Sequence, residues 1–351
     1  MSADYGRLID DLAAAAREAG EAILQVVRRG FEVESKHDTS PVTEADRAAE
    51  LIILGALARA APGVPIIAEE EVAAGRIPAH DDTYFLVDPL DGTKEFIRGG
   101  HDYTVNIGLI EQGMPKLGVV FAPATARLHG GCVGGGAWVD EGDGRVPITT
   151  RMRPEVVTAV ASKSHLNQAT IDYLEAAVGS CGYISIGSSL KFCIVAEGKA
   201  DIYPRVAPTS EWDTAAGHAV LLAAGGLVDG TDGEPLHYGK KAFLNRAFVA
   251  TAGWKPPSLK PFLEPFGHRR SRPSLVVRLA PQDSESAVQL LGHHDTGQLV
   301  RQGERAQAPP DARRGEKAPR EPMRAAEDEG ERARRHSPTV HSQREFLAGP
   351  G

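Results

Sequence analysis

The stretch "YFLVDPLDGTKEFI", residues 84–97, joins an apolar run to three acidic side chains and a tight turn. The apolar run predicts a buried strand that delivers Asp88 and Asp91 at its carboxyl end. Pro89 restricts the backbone, and Gly92 permits a tight entry into a following helix. Two carboxylates in one turn repel each other and raise each other's pKa. A hard divalent cation such as Mg²⁺, which prefers oxygen ligands, would offset that repulsion.

Taken alone, this motif is more typical of a solvated turn in which Asp91 caps the helix. Three other acidic residues stand at the ends of predicted elements. Glu69 ends the strand "VPIIAE", Asp213 starts the helix "WDTAAGHA", and Asp46 lies in the first helical turn of "PVTEAD". Each of them could also be a simple helix cap. Together with "DPLDGT" they predict an anionic cluster that requires metal ions.

The charge distribution excludes some partners. The chain has 351 residues and a formal net charge of −8. Residues 268–351 hold 15 Lys and Arg against 12 Asp and Glu, so that segment carries +3 and residues 1–267 carry −11. An acidic body argues against nonspecific nucleic-acid binding, which depends on many contacts between cations and phosphates. If the body binds an anion, cations must mediate the contact.

The pattern along the chain predicts a layered α/β fold. Residues 7–29 and about 43–60 have helical periodicity, while "TYFLVDP" is a strand. "YTVNIGLIEQGMPKLGVVFAPAT" predicts two strands around a Gly-Met-Pro turn, and "LHGGCVGGGAWVD" a glycine-rich hairpin. Further strands and helices follow up to the small-residue helix "WDTAAGHAVLLAAGG". This mixture suggests α/β sandwiches in two lobes that meet near residue 150.

The segment 268–351 has a different composition. It is rich in Arg, Pro, Glu and Ala, and its low apolar content predicts a mostly disordered tail. The three cysteines, Cys132, Cys181 and Cys193, match no zinc motif or disulfide framework, which favours reduced, buried thiols. No stretch approaches the roughly 20 apolar residues of a membrane span, and the N-terminus has acids where a signal peptide has bases.

Two blocks of the sequence resemble a known family. "YFLVDPLDGTKEFI" and "SIGSSLKFCIVAEGKADIYPR…EWDTAAGHAVLLAAGG", with an upstream "EE", are similar to the Mg²⁺-dependent, Li⁺-sensitive phosphatase superfamily of inositol monophosphatase. Within it, they resemble the CysQ-type 3'(2'),5'-bisphosphate nucleotidases. The resemblance covers roughly residues 5–255. It implies an αβαβα sandwich with a metal-binding catalytic lobe (1–150) and a nucleotide lobe (151–267), followed by the disordered tail (268–351).

The resemblance also implies the catalytic groups. Two or three Mg²⁺ ions would be held by Glu69, Asp88, the carbonyl of Leu90, Asp91 and Asp213. Since three glutamates run together, Glu70 remains an alternative to Glu69. Thr93 and Asp46 would orient and deprotonate the attacking water. Without this context, Thr93 could be a simple cap hydroxyl.

Other residues are implied in substrate binding. Ser188 and Lys191 would contact the nucleotide, His165 would lie near its base or phosphate, and Arg205 would pair with the second phosphate. The same metal-site residues, Glu69, Asp91 and Asp213, together with Gly92 and Thr93, would face the phosphate that is removed. Alternatives remain open, because Lys191 could be a solvated helix residue, His165 a cap, and Arg205 an ion-pair partner of Glu211.

The resemblance therefore implies a Mg²⁺-dependent hydrolase that converts adenosine 3',5'-bisphosphate to AMP and phosphate, which clears a by-product of sulfate assimilation. An inositol- or sugar-phosphate phosphatase is the alternative in the same class. A non-catalytic metal-binding or interaction protein is the alternative from another class. The expected partner is a small-molecule nucleotide, with no nucleic acid and no transmembrane segment. The expected location is the cytoplasm, with peripheral association at the cytoplasmic side of the inner membrane implied by relatives.

Overall fold

In this computed structural model, the chain folds into two seven-stranded sheets, each flanked by helices. The structure describes residues 4–35, 41–161, 167–263, 275–279 and 287–292. The helices are α1 (Tyr5–Arg29), α2 (Glu44–Ala60), α3 (Glu69–Ala73), α4 (Thr93–Ile97), α5 (Gln168–Val178), α6 (Leu190–Ala196), α7 (Trp212–Ala223) and α8 (Lys260–Leu263).

The first sheet has the strand order β3-β4-β5-β6-β7-β8-β9. Its strands are β3 (Ile66–Ala68), β4 (Thr83–Asp91), β5 (Thr104–Glu111), β6 (Met114–Ala122), β7 (Arg127–Cys132), β8 (Gly136–Asp140) and β9 (Arg145–Ile148). Only β3 and β4 pair in parallel within this sheet, and β4 to β9 form an antiparallel meander. Before the sheet, β1 (Val33–Ser35) and β2 (Pro41–Thr43) form a short antiparallel pair.

The second sheet has the order β14-β16-β12-β10-β11-β18-β17. Its strands are β10 (Thr158–Ala161), β11 (Gly182–Ser185), β12 (Ile202–Arg205), β14 (Leu227–Gly230), β16 (Phe248–Thr251), β17 (Leu275–Leu279) and β18 (Ala287–Gly292). The strands β13 (Thr209–Ser210) and β15 (Leu244–Asn245) form a separate two-stranded pair.

Three apolar cores divide the molecule into five layers. Helices α1 and α2 pack on one face of the first sheet, where Phe85 and Val87 point from β4. Helices α6 and α7 fill the space between the sheets and contact Tyr84 and Leu86 on the opposite face of β4. Helix α5 covers the far face of the second sheet. The expected αβαβα sandwich is therefore confirmed.

The predicted elements agree with the observed ones apart from one strand end and one turn. Glu69 was expected to end a strand, but β3 ends at Ala68 and Glu69 begins α3. We expected the β5–β6 turn at Gly-Met-Pro, residues 113–115, but Met114 already belongs to β6. The turn residues are Gln112 and Gly113, with φ of 52° and 73°. Two consecutive positive φ values are typical of the tight turns whose twist matches an antiparallel hairpin. Pro115 lies at a register shift between β5 and β6, where a strand tolerates the missing N–H.

Two further predictions concern the second half of the chain, namely the division into lobes and the tail. Both sheets fall within one compact unit, and the change from the first to the second sheet lies between Ile148 and Thr158. The division into lobes 1–150 and 151–267 stays a prediction. Within the predicted tail, 268–351, the structure describes β17 and β18, and β18 pairs antiparallel with β11. The rest of that tail lies outside the described residues.

Cys132, Cys181 and Cys193 are all free, and the last two are buried. Among the helices described, none is both long enough and apolar enough to cross a membrane.

Helix α7 lies directly against the backbone of the first sheet because glycines leave room for it. A methyl group on Gly108 would come within 2.9 Å of the Ala215 Cβ, and one on Gly118 would overlap the Ala216 carbonyl oxygen. This close packing fixes the position of α7, and therefore of Asp213 at its start, relative to β4.

We expect Gly118→Ala to lower the free energy of unfolding by about 1–3 kcal/mol, because the added methyl overpacks the contact between β6 and α7. The matched control is Gly55→Ala in α2, where an added methyl meets only the Arg59 guanidinium, at 3.4 Å. In a helix with open space, alanine should stabilise by up to about 1 kcal/mol. Urea unfolding would measure both, and a Gly118→Ala variant as stable as the wild type would contradict this packing.

Candidate active site

The end of β4 brings two carboxylates into the interior. Asp88 lies on the same face of the strand as Tyr84 and Leu86, the face that packs against α7. It is 2% exposed, and its Oδ1 accepts a hydrogen bond of 3.0 Å from the Leu90 N–H. The pairing of β4 with β5 shifts register between Asp88 and Asp91. The last residues of β4 therefore do not keep the regular alternation of side chains between the two faces. The sequence prediction that this strand delivers both acids is confirmed.

Asp91 does not cap α4. The N-cap position is Gly92, with φ of 92°, and no side chain caps that helix. Instead, Asp91 Oδ2 accepts hydrogen bonds from the Ser189 hydroxyl at 3.2 Å and the Asn106 amide at 3.4 Å. Burial raises the pKa of Asp91, while the charge of Lys191 and these hydrogen bonds lower it. The interpretation of Asp91 as a solvated cap is therefore wrong.

Asp213 reaches the same place from α7. Its Oδ2 accepts hydrogen bonds from the Ser210 N–H, at 3.0 Å, and from the Thr209 hydroxyl. Burial and the nearby charge of Asp91 raise the pKa of Asp213 to about 6, although those two hydrogen bonds lower it. Asp213 thus holds the segment that leads into α7 and also lies near the other acids.

The four acids form what we call the carboxylate cluster, namely Glu69, Asp88, Asp91 and Asp213. Burial raises the pKa of Asp88 well above its usual value, and the charges of Glu69, Asp91 and Asp213 raise it further. Such mutual repulsion in a buried place requires compensation. Carboxylate and carbonyl oxygens are the ligands that Mg²⁺ prefers, so the donor set fits this ion. As placed in the described part of the chain, no group of three or more acidic, histidine or cysteine side chains is arranged so that it could hold a metal ion.

Asp46 and Thr93 lie close together. One oxygen of Asp46, Oδ2, accepts hydrogen bonds of 2.8 Å from both the backbone N–H and the hydroxyl of Thr43, which caps α2. The other oxygen, Oδ1, lies 3.4 Å from the Thr93 hydroxyl. That hydroxyl also lies 3.1 Å from the Leu90 carbonyl oxygen. Asp46 therefore caps its helix with one oxygen and presents the other to Thr93.

A cavity of about 270 Å³ opens beside the carboxylate cluster. Its walls hold Glu69, Asp91, Gly92, Thr93, Lys94, Glu95, Gly187, Ser188, Lys191, Phe192, Tyr203, Arg205, Thr209, Asp213 and Thr214. A larger cavity of about 840 Å³ lies between α1, α2 and the opposite end of β4, beginning at Thr83. We place the site in the smaller one, because perturbed carboxylates and buried cations converge there.

Lys191 is buried rather than solvated. It is 5% exposed, and its Nζ donates a hydrogen bond to the Ser188 carbonyl oxygen. Burial lowers the pKa of Lys191 to about 8, and the charge of Asp91 opposes that change. Ser188 has φ of 49°, an unusual conformation for a residue with a side chain. The preceding Gly187 N–H donates to Asp102 Oδ2 at 3.0 Å, so the turn is held from both sides.

The structure describes the contacts of Arg205 but not those of His165. The Arg205 guanidinium donates to the carbonyl oxygens of Ala207 and Pro208, at 3.2 and 3.3 Å, and faces the cavity. Its proposed ion pair with Glu211 is wrong, because Glu211 pairs with Lys240 at 2.6 Å. His165 lies outside the described residues.

The sequence analysis missed three residues that shape the site. Ser189 donates to Asp91, Asn106 donates to Ser189 at 3.0 Å, and Asp102 holds the turn before Ser188. Serine, asparagine and aspartate are common in turns and strand ends, so their local pattern carried no signal. For Ser189, its place in "GSSLKF" next to Ser188 was the available clue.

The arrangement of layers and acids identifies the class of protein. The model of the inositol monophosphatase family matches residues 7–261. The chain therefore belongs to the inositol monophosphatase family.

Individual relatives are similar to this chain over nearly their whole length. The 3'(2'),5'-bisphosphate nucleotidase CysQ of Salmonella typhimurium is 46% identical over 248 residues, which covers 70% of this chain and 99% of that protein. The CysQ of Escherichia coli strain K12 is also 46% identical, covering 69% and 98%. The crystal structure of CysQ from Bacteroides thetaiotaomicron is 39% identical, with a TM-score of 0.59, and covers 70% of this chain and 97% of that one.

The helix that carries Asp213 also contains a buried histidine. His218 Nδ1 lies 3.0 Å from the Tyr238 hydroxyl, which donates to Thr214 Oγ1 at 3.1 Å. Burial, with the positive charges of Lys240 and His237, lowers the pKa of His218 to about 3. Below about pH 6.5 the unfolded chain therefore binds a proton at this position, whereas the folded chain does so only near pH 3. The contribution of His218 to stability is fully present above about pH 6.5 and is lost as the pH falls towards 3.

We expect the unfolding free energy of the wild type to fall more steeply between pH 6.5 and 4 than that of His218→Gln. The largest extra slope is about 1.4 kcal/mol per pH unit for one proton. Urea unfolding at several pH values would measure it, with the exposed His101→Gln as the control. Parallel curves for the wild type and His218→Gln would show that His218 does not cause this loss.

Proposed function

We propose that this chain is a Mg²⁺-dependent 3'(2'),5'-bisphosphate nucleotidase. It would use water to break the bond between phosphorus and O3' of adenosine 3',5'-bisphosphate, releasing AMP and phosphate. The observation that carries the proposal is the carboxylate cluster, in which Asp88 is buried and the other three acids line a cavity that also holds Lys191 and Arg205. The similarity to the CysQ nucleotidases, over nearly their whole length, supports it.

The carboxylate cluster and the Leu90 carbonyl oxygen would hold the ions, two or three in number. We assign Glu69 rather than Glu70 as the ligand, because the Glu69 carboxylate raises the pKa of Asp88 and lines the cavity. When bound, paired Mg²⁺ ions would neutralise the phosphate and stabilise the entering and leaving oxygens of an in-line displacement.

Thr93 and Asp46 would handle the proton of the attacking water. The Thr93 hydroxyl can accept from the water while it donates to Asp46 Oδ1. Because Asp46 Oδ2 is held by two hydrogen bonds from Thr43, Oδ1 has a fixed direction. Phosphoryl transfer needs positioning and charge neutralisation more than covalent help, and this pair supplies positioning.

Substrate selection would depend on the second phosphate. A bisphosphate carries more negative charge than the scissile phosphate alone, and Lys191 and Arg205 place two cations on the cavity wall. Arg205 can present planar paired donors to phosphate oxygens. We further propose that Ser188 contacts the nucleotide, that the N–H groups of Gly92 and Thr93 face the departing phosphate, and that His165 lies near the base or a phosphate.

The inositol- or sugar-phosphate alternative has one observation in its favour, the family itself. It leaves the buried Lys191 unexplained, since a monophosphate needs fewer cations. A non-catalytic metal-binding role would account for the carboxylate cluster but not for Thr93 and Asp46 beside it.

Several finer points stay predictions of this proposal. They are Li⁺ sensitivity, the place of the enzyme in clearing a by-product of sulfate assimilation, the cytoplasmic location, and a peripheral association with the membrane.

The activity is tested by measuring phosphate release from adenosine 3',5'-bisphosphate, inositol 1-phosphate and fructose bisphosphate, each with and without Mg²⁺. We expect adenosine bisphosphate to have the highest kcat/KM and chelation to abolish turnover. Asp91→Asn should reduce kcat at least about 10³-fold, since it removes one charge of the cluster. The exposed Asp81→Asn, at the other end of β4, is the control. A preference for inositol 1-phosphate would overturn the substrate assignment.

Arg205 provides a separate test of specificity. We expect Arg205→Gln to raise KM for adenosine bisphosphate about 10- to 100-fold, because the second phosphate loses a charged partner. The change for inositol 1-phosphate should be within about threefold. The exposed Arg246→Gln is the matched control on the same lobe. Equal losses for both substrates would mean that Arg205 does not read the second phosphate.

A further inference from the structure

Glu50 is a buried acid that the proposed chemistry does not use. It lies on α2, four residues after Asp46, so both side chains project from the same side of the helix. Glu50 is 4% exposed. Burial and the charges of Glu70 and Glu71 raise the pKa of Glu50 to about 7. An acid in such a place costs stability, which suggests that it has a specific task.

The hydrogen bonds of Glu50 join it to the start of α3. Its Oε2 accepts a hydrogen bond of 2.9 Å from the Glu70 N–H, and the Glu71 N–H also donates to its carboxylate. These two N–H groups belong to the first turn of α3, which begins at Glu69. The N-cap of that helix is Ala68, which has no side chain to accept them. Glu50 therefore caps α3 from a different helix.

Helix α3 cannot hold this position by itself. It has five residues, and so short a helix is unstable without tertiary contacts. Its first turn holds three glutamates, whose charges repel Glu50 but suit the positive end of a helix dipole. At the other end, Arg76 pairs with Glu71 at 2.6 Å in an exposed place. The buried anchor at the start of the helix is thus the Glu50 carboxylate.

We propose that Glu50 is a positioning residue for the metal site, which fixes the start of α3 so that the Glu69 carboxylate faces Asp88. The inference rests on the proposed function in one respect, the assignment of Glu69 as a metal ligand. Glu50 itself would touch neither metal nor substrate. The apolar contacts of α2, through Ile53 and Leu57, do not depend on it, so the fold can survive its replacement.

The test measures Mg²⁺ binding by calorimetry in the absence of substrate, and amide hydrogen exchange over residues 66–73 in the metal-free protein. Glu50→Ala should weaken Mg²⁺ binding at least about tenfold and speed exchange in α3 but not in α7. Glu50→Gln keeps an oxygen acceptor of the same reach and should stay within about threefold of the wild type. The control is Glu44→Gln, an exposed acid on the same helix, which should change neither measurement.

A double-mutant cycle separates positioning from stability. If Glu50 acts through Glu69, Glu50→Ala should cause no further loss of Mg²⁺ affinity when Glu69 is already alanine, although it should still lower Tm. If Glu50→Ala fails to fold, Glu50→Asp, whose carboxylate is one methylene shorter, should give the same loss of affinity.

The outcomes are distinguishable. A lower Tm for Glu50→Ala with unchanged Mg²⁺ affinity and unchanged exchange in α3 would overturn the inference, and so would a wild-type protein that binds no Mg²⁺. Wild-type protein that binds Mg²⁺ but leaves adenosine bisphosphate intact would refute the proposed function, while the effect of Glu50 on Mg²⁺ binding could still be read.

Discussion

Mutual repulsion among four carboxylates, of which Asp88 is buried and the other three line the cavity, is the constraint on which the site depends. Asp88 receives unfavourable contributions from its burial and from Glu69, Asp91 and Asp213. The protein offsets part of this with hydrogen bonds from neutral groups, such as the Leu90 N–H to Asp88 and the Ser210 N–H to Asp213. Hydrogen bonds hold the acids in place without cancelling their charge. In the proposed function, a bound dication would offset the negative charge that remains.

The acids come from distant parts of the chain, and the two sheets determine where they meet. Asp88 and Asp91 end β4, while Asp213 begins α7, which packs between the sheets. Lys191, on α6, belongs to the same middle layer. The first sheet therefore supplies most of the anionic side of the site, and the middle layer supplies Asp213 and a buried cation.

The sequence predicted the site best where the signal was local. Asp88 and Asp91 stand three residues apart after an apolar run, so the strand period and the turn chemistry sufficed to place them. Asp213 was grouped with these acids from its place at a helix start, while its part in a metal site and the role of Lys191 depended on the resemblance to a family. Ser189 and Asn106 could not be found, because their contact joins residues 83 positions apart, one before α6 and one on β5. In the sequence, Glu50 is indistinguishable from an ordinary helical glutamate, and only the structure shows that the start of α3 donates to it. The β5–β6 turn was misplaced because proline usually marks turns, whereas Pro115 is tolerated at a strand irregularity.

The glycine contacts between α7 and the first sheet have a mechanical consequence. Helix α7 carries Asp213 and lies against the backbone at Gly108 and Gly118, while its other side belongs to the core shared with the second sheet. A hinge opening between the sheets would have to strip that helix from one of its two supports and expose a large apolar area to water. In the proposed function, ligands would therefore enter and leave through movements of side chains and turns at the cavity rim, without a hinge motion of the scaffold that spaces the acids.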